Sequence, residues 1–155
     1  MLNLEGERGA LENRMLVQSF ANRLIALLAR YQRVPKNAEH ALLRHQKTLL
    51  AADQYIREHL SENLTLERLA MQSNLEPTYF HKLFTAAFGV TPANRVLGYR
   101  ISAAKAALIE GALPLVEIAA QCGFSSQSYF SYIFKRRMKQ TPRKYTQELY
   151  DRYHV

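Results

Sequence analysis

Apolar residues in the N-terminal third of this 155-residue chain recur every three or four positions, which is the spacing of one face of an α-helix. The pattern predicts two helices, at about residues 11–31 and 38–60. Pro35 separates them, because proline disfavours a helical conformation at the residue before it. No segment alternates apolar and polar residues as a half-exposed strand does, so the sequence predicts an all-α fold. The expected core face of the second helix consists of Leu42, Leu49, Ala52 and Ile56.

The rest of the chain contains one pattern twice. The segment YFHKLFTAAFGVTP starts at Tyr79, and the segment YFSYIFKRRMKQTP starts at Tyr129, fifty positions later. Both open with Tyr-Phe, have a second Phe at the same place and close with Thr-Pro. We expect their aligned apolar residues to be buried in the core. These are Tyr79, Phe80, Leu83 and Phe84 in the first segment, and Tyr129, Phe130, Ile133 and Phe134 in the second.

Each repeated segment follows a short apolar helix and a tight turn. The first turn falls at Asn74, which can adopt the left-handed conformation, and the second falls at Gly123. A short helix, a tight turn and a longer helix make a helix-turn-helix unit. The sequence therefore predicts two such units, at about residues 65–89 and 115–139, joined by a linker helix over about residues 93–110.

The charge of the chain favours a polyanionic partner. The formal net charge is +8 at pH 7, and basic proteins of this kind are candidates for nucleic-acid binding. The charge is concentrated in the second repeat, where residues 135–144 contain six Lys or Arg and no acid. The corresponding helix of the first repeat has Lys82 alone. We therefore expect the second unit to supply more of the salt-dependent contact with phosphates.

Between the apolar positions, the start of each second helix carries side chains that can contact DNA. Hydroxyl, amide and imidazole groups can read base edges, whereas Lys and Arg neutralise phosphates. A linker of about 18 residues is roughly 27 Å long, and with the width of each unit added it could span the ~34 Å between successive major-groove faces. One chain could thus read two groove segments. The candidates are Thr78, His81 and Lys82 in the first unit, and Gln127, Ser128, Ser131, Tyr132, Lys135, Arg136 and Arg137 in the second.

At this point the pattern resembles a known family. Residues from about Ile56 to Tyr145 are similar to the DNA-binding domain of the AraC/XylS family of bacterial transcription regulators. The match is strongest over RISAAKAALIEGALPLVEIAAQCGFSSQSYFSYIFKRRMKQTPRKY, residues 100–145. The resemblance implies seven helices, with two helix-turn-helix units joined by a rigid linker and each second helix in the major groove of double-stranded DNA.

The resemblance also assigns roles to single positions. It implies base reading by Thr78, His81 and Lys82, and by Gln127, Ser128, Ser131 and Tyr132. It implies phosphate contacts by Arg100, Lys135 and Arg136, and by backbone amides at the helix starts near Ser126 and Thr141. We also expect a phosphate contact from Arg137, because it lies in the basic cluster next to Lys135 and Arg136.

Three positions depart from the family pattern. Glu76 stands where a small capping Ser is usual, so it favours the helix dipole but would repel a phosphate, which predicts weaker binding by the first unit. Lys139 stands where Gly is usual, and Met138 replaces the commoner Phe. None of these departures is expected to break the fold.

The N-terminal residues lie outside the resemblance, so we divide the chain into a helical segment, residues 1–45, and the DNA-binding domain, residues 46–155. Family members usually carry a sensing and dimerising domain in this place. The apolar stripe of residues 11–31 would suit a dimerising helix in a fragment of a longer regulator; it would equally suit packing within a short regulator. An activator would also contact RNA polymerase, but no residue pattern identifies that surface, and activation and repression both stay open.

Other chemistry is weakly represented. The single cysteine, Cys122, allows no internal disulfide, suits a reducing compartment and is expected in the core. The histidines do not form a metal-ligand spacing with it, and no phosphate loop, carboxylate pair or nucleophile elbow is present. DNA-repair enzymes with this kind of domain need further reactive cysteines. The sequence therefore predicts no metal, no cofactor and no enzyme activity.

The sequence also bears on where the protein acts. The N-terminus does not read as a signal peptide, and no apolar run approaches the roughly 18 residues of a membrane span, so we expect a cytoplasmic protein without a membrane segment. Two alternatives to a sequence-specific regulator stay open: a helical protein-interaction module, and a nonspecific nucleic-acid binder on the same fold.

Overall fold

A computed structural model of the chain describes residues 36–153, which form seven α-helices and contain no strand. The all-α prediction is therefore confirmed. The predicted helix at residues 11–31 lies outside the described residues. The helices are α1 (Lys36–Glu58), α2 (Leu66–Gln72), α3 (Pro77–Phe88), α4 (Pro92–Glu110), α5 (Leu115–Gln121), α6 (Gln127–Met138) and α7 (Pro142–Tyr153).

The turns form where the sequence places them. Asn74 between α2 and α3 has φ 51°, and Gly123 between α5 and α6 has φ 79°, so both adopt the left-handed conformation. The ends of the two longer helices differ. Gly89 ends α3 with φ 70°, whereas Lys139 ends α6 with φ 62°. A side chain in that conformation costs roughly 1–2 kcal/mol, so the second unit tolerates some strain at this position.

Two hydrophobic cores form, one for each helix-turn-helix unit. The first buries Leu69, Ala70, Phe80, Leu83 and Phe84 of α2 and α3 against Leu49, Ala52 and Ile56 of α1. The second buries Ile118, Ala119, Cys122, Phe124, Phe130, Ile133 and Phe134. These residues include Leu49, Ala52 and Ile56 of the predicted core face of α1, and Cys122 at its predicted core position; Leu42, the fourth residue of that face, is only partly buried.

The helix α1 belongs to the first unit along much of its length. Leu42, which precedes the expected domain boundary near residue 46, packs on the same core as Leu49, which follows it. The boundary therefore lies within a continuous helix. Through these residues α1 lies against the second helix of the first unit, α3.

The linker helix α4 contributes to both cores. Val96 near its start is buried in the first core. Ile101, Ala104 and Leu108 are buried in the second core, with Leu97 packed against it. A single helix with apolar residues in two cores connects the units rigidly, because neither core can move without displacing it.

The repeated tyrosines differ from the expectation. Tyr79 and Tyr129 were expected in the core, but their exposed fractions are 40% and 42%. Each lies in the first turn of its helix, at the edge of the core. The Tyr79 ring contacts His45 of α1 edge-on, and the Tyr129 ring contacts Phe124. Tyrosine suits such an edge, because its ring packs while its hydroxyl stays in water.

A buried carboxylate joins α1 to the linker. Asp53 accepts hydrogen bonds from Arg95 Nε at 2.7 Å, from the Tyr99 hydroxyl at 2.8 Å and from Arg57 Nη2 at 3.0 Å. Burial raises the pKa of Asp53, but the hydrogen bonds from Arg95 and Tyr99 and the charges of Arg95 and Arg57 outweigh burial, so the pKa lies below its ordinary value. The guanidinium groups of Arg57 and Arg95 also lie over the Tyr99 ring.

We expect Asp53→Asn to lower the free energy of unfolding by about 2 kcal/mol at pH 7. Breaking a fully buried ion pair costs roughly 3–5 kcal/mol. The expected loss is smaller here because Arg57, one of the partners of Asp53, is half-exposed. Since folding lowers the pKa of Asp53, the advantage of the wild type is complete above the unfolded pKa of about 3.9. It disappears as the pH falls through the lower, folded pKa.

Urea unfolding at pH 7 and in acid measures this difference. Asp151→Asn is the matched control, because Asp151 is an exposed carboxylate of α7 that accepts a hydrogen bond from Gln147. A pH-independent loss in Asp53→Asn would contradict the role of its charge.

Candidate nucleic-acid interface

The second helix of the first unit, α3, has one buried and one exposed face. Phe80, Leu83 and Phe84 fill the first core. Thr78 and Lys82 therefore point away from the core and are exposed, while His81 is half-buried. The spacings of three and four place these three side chains on one face of the helix.

The second helix of the other unit, α6, repeats this arrangement. Phe130, Ile133 and Phe134 are buried. Gln127, Ser128 and Tyr132 are exposed, and Ser131 is half-buried. Ser128, Ser131 and Tyr132 occupy the positions of Thr78, His81 and Lys82 in α3. The structure thus brings the predicted base-reading residues together in two equivalent sets, one at the start of α3 and one at the start of α6.

The two sets differ in their chemistry. A hydroxyl group occurs in both, at Thr78 and at Ser128. The next positions carry an imidazole and an ammonium in α3, His81 and Lys82, but a hydroxyl and a phenol in α6. Lys82 can only donate hydrogen bonds, whereas Ser and Tyr hydroxyls both donate and accept. The two helices therefore present different hydrogen-bonding patterns.

The basic cluster lies at the end of α6. Lys135, Arg136 and Arg137 form its last turn and are exposed. Basic side chains also suit the negative end of the helix dipole there. Arg137 Nη2 donates to Asn94 Oδ1 of α4 at 3.0 Å, so this side chain ties α6 to the linker. Among residues 36–153, Lys135 and Arg136 form no ion pair with another side chain.

The starts of α6 and α7 are capped by short hydroxyl side chains. Ser126 Oγ accepts from the Tyr129 backbone N–H at 3.1 Å, and Thr141 Oγ1 accepts from the Lys144 backbone N–H at 3.2 Å. Both capping residues are exposed. Each hydroxyl uses one of the amides that a helix start leaves without an internal partner. The predicted phosphate contacts at these starts stay predictions.

The start of α3 is capped by a carboxylate. Glu76 Oε1 accepts from the Thr78 backbone N–H at 3.0 Å, and Oε2 accepts from the Tyr79 backbone N–H at 2.8 Å. These two hydrogen bonds lower the pKa of Glu76. The carboxylate uses two amides of the first turn and adds a negative charge. The geometry fits the expected weaker phosphate contact of the first unit.

Arg100 of α4 differs from the other predicted phosphate ligands, because its guanidinium is bonded to backbone carbonyls of the chain itself. Its side chain is half-buried, with Nε donating to the Leu60 carbonyl at 3.0 Å and Nη2 donating to the Glu62 carbonyl at 2.7 Å. Burial lowers the pKa of the Arg100 guanidinium. These contacts within the chain disfavour its predicted role as a phosphate ligand.

Sequence reasoning missed the side chains that hold the interface in place. Asp53 and Arg95 are 42 positions apart, and Arg137 and Asn94 are 43 apart. Such pairs leave no periodic signal in a single sequence. The local signal that was available is the spacing of four between Asp53 and Arg57, which form an ion pair on α1.

Among residues 36–153, no three His, Cys, Asp or Glu side chains lie close enough together to hold a metal ion. In the same part of the chain, no helix has the length and apolarity required to cross a membrane.

The fold and the two exposed helix faces define a tandem helix-turn-helix protein, and comparisons with known proteins agree. A family model described as a helix-turn-helix domain matches residues 69–148, more than half of the chain. The probable transcriptional regulator LumQ of Photobacterium leiognathi is 32% identical over 134 residues, covering 86% of this chain and 52% of LumQ. The chain spans about half of LumQ and a smaller part of other regulators that it matches.

Solved structures show the same similarity. The C-terminal domain of AraT, a response regulator from Geobacillus stearothermophilus, has a TM-score of 0.63 and 32% identity, covering 65% of this chain and 84% of that domain. The DNA-binding domain of AdpA, a global transcriptional factor in complex with a target DNA, has a TM-score of 0.66 and 25% identity, covering 68% and 95%. The chain belongs to the AraC-type family of helix-turn-helix domains, which confirms the resemblance found in its sequence.

We expect Glu76→Ser to tighten binding to double-stranded DNA by roughly a few-fold, because the substitution removes a negative charge that would repel a phosphate approaching the start of α3. The Ser cap keeps one hydrogen bond, as Ser126 does in the second unit. The dissociation constant from fluorescence anisotropy measures the effect.

The reciprocal substitution, Ser126→Glu, is the matched control and should weaken binding by a similar factor. Equal dissociation constants for the wild type and both variants would show that neither helix start lies near a phosphate.

Proposed function

We propose that the chain is a sequence-specific DNA-binding transcription regulator that reads two adjacent major-groove segments of a bacterial promoter. The observation that carries the proposal is the equivalent placement of two recognition faces on one rigid frame. Thr78, His81 and Lys82 form one face, and Gln127, Ser128, Ser131 and Tyr132 form the other. Family membership supports the same role.

The chemistry of the two faces suggests that the two boxes differ in sequence. Lys82 donates hydrogen bonds and suits the O6 and N7 acceptors of guanine. Gln127 can both donate and accept, so it suits adenine in a bidentate pair. The hydroxyl groups of Thr78 and Ser128 can contact several bases and therefore discriminate less between them. We therefore propose a directional, non-palindromic site for one chain.

Phosphate contacts are proposed to come mainly from the second unit. Lys135 and Arg136 are exposed at the end of α6, and the caps Ser126 and Thr141 mark helix starts without a carboxylate. Arg137 can add to this set despite its bond to Asn94. The first unit, with Glu76 at its helix start, contributes less to the phosphate term.

Enzymatic and metal-dependent roles are not proposed. The single cysteine, Cys122, is 5% exposed, and burial raises the pKa of its thiol, which disfavours the reactive thiolate. We propose that the protein acts in the cytoplasm. RNA polymerase contact and a homodimer through residues 11–31 remain proposals; the dimerisation stripe lies outside the described residues.

Selection of bound duplexes from a randomised DNA pool at about 0.15 M salt tests the proposal. We expect two short, different boxes about 10 base pairs apart, centre to centre, because successive major-groove faces repeat at that distance. The selected duplex should bind at least about a thousandfold more tightly than random duplex at equal salt.

Three other results would contradict all or part of this function. Equal affinity for selected and random duplexes would indicate a nonspecific nucleic-acid binder. No DNA binding by the folded chain would favour the helical protein-interaction module. A single enriched box would show that one unit reads bases and the other contacts only the backbone.

A further inference from the structure

The turn of the second unit lies directly against the backbone of the first. Gly123 separates α5 from α6, and Leu60 follows α1. A Cβ atom added to Gly123 would overlap the Leu60 carbonyl oxygen and lie 2.8 and 2.9 Å from Arg100 Nε and Nη2. The left-handed φ of Gly123 already favours glycine, and the close approach of the Leu60 carbonyl leaves no room for even a methyl group.

Arg100 of the linker holds the same place together. It donates through Nε to the Leu60 carbonyl and through Nη2 to the Glu62 carbonyl. The planar guanidinium presents these two donors in a fixed fork, whereas a lysine ammonium is a point charge on a flexible stem and would hold the two carbonyls less rigidly. Arg100 thus connects the segment after α1 with the linker at the point where Gly123 arrives from the second unit.

The segment that carries these carbonyls is itself anchored to the first unit. The Glu62 carboxylate pairs with Arg68 of α2, and Arg68 also donates to the Tyr55 hydroxyl at 3.1 Å. The Glu62 backbone N–H donates to the His59 carbonyl at 2.9 Å. Leu60 and Glu62 therefore move with the first unit.

We propose that Arg100, the carbonyls of Leu60 and Glu62, and the Gly123 turn form an inter-unit clamp that sets the spacing between the two DNA boxes. Arg100 and Gly123 are positioning residues in this role and contact no base. The inference rests on the proposed function, because spacing has meaning only if both units read DNA.

The clamp bears on spacing because a rigid pair of recognition helices fits one separation. One base pair adds ~3.4 Å along the duplex and about a tenth of a turn around it. A rigid protein cannot follow that change without losing contacts of one helix. A protein whose units move relative to each other can adapt to the changed separation, but it loses conformational entropy when DNA binding fixes the units.

The experiment uses the full chain and a series of duplexes carrying the two selected boxes at centre-to-centre separations from about 8 to 13 base pairs. The wild type should bind the best separation at least about tenfold more tightly than separations one base pair shorter or longer. Arg100→Ala and Gly123→Ala should reduce this preference to about threefold or less, or shift its optimum.

Gly111→Ala is the matched control. Gly111 ends the linker with φ 66°, and a Cβ atom there would meet nothing within 4 Å. Its substitution costs the same backbone strain next to the second unit without touching the clamp. We expect Gly111→Ala to keep the wild-type spacing preference.

The salt dependence separates positioning from phosphate binding by Arg100. If Arg100 neutralised a phosphate, Arg100→Ala would reduce the slope of log K against log salt by about 0.9 and weaken all duplexes equally. The clamp predicts an unchanged slope with a broadened or shifted spacing preference. Arg100→Lys keeps the charge and should broaden the preference as well.

Folding is checked by circular dichroism and urea unfolding for each variant. If Gly123→Ala does not fold, Arg100→Ala and Arg100→Lys decide, because the hydrophobic cores are untouched in both. A sharp wild-type preference that both folded Arg100 variants retain overturns the clamp and leaves the regulator function standing. A wild type that binds no selected duplex overturns the regulator function itself.

Discussion

The linker helix α4 is the element on which the rest of the structure depends, because its apolar residues are divided between two cores. Val96 is buried with the first unit, and Ile101, Ala104 and Leu108 are buried with the second. Two polar contacts of the same helix add to this constraint: Asp53 of α1 holds its first turns, and Arg100 binds the segment after α1. These contacts connect the two helix-turn-helix units rigidly.

Much of this architecture could be predicted because it is local or periodic. The repeat located both helix-turn-helix units, and Asn74 adopts the left-handed turn that its residue type favours. The tyrosines Tyr79 and Tyr129 were misplaced, because an apolar pattern does not distinguish a core position from its amphipathic edge. Arg100 was assigned to phosphate from the family resemblance, whereas its partners are carbonyls some 40 positions away. Such contacts depend on the folded arrangement and cannot be found from spacing.

The two units are alike in packing and unlike in electrostatics. Their buried phenylalanines occupy corresponding positions of the sequence repeat, but a carboxylate caps α3 where a hydroxyl caps α6. The capping Glu76 stabilises its helix through two amides and removes those amides from any ligand. The cap thus stabilises α3, and the same carboxylate is the basis of the proposed weaker phosphate contact of the first unit.

The distance between the two units in free solution tests the rigid-body account most directly. Spin labels on the double variant Met71→Cys and Ala120→Cys report this distance by pulsed electron paramagnetic resonance. These exposed residues occupy corresponding places in α2 and α5, and both lie outside the two recognition faces. Cys122 is buried and should stay unlabelled. A rigid connection through α4 predicts one narrow distance distribution that DNA does not change. A broad distribution in the free protein, narrowed or shifted by DNA, would contradict it.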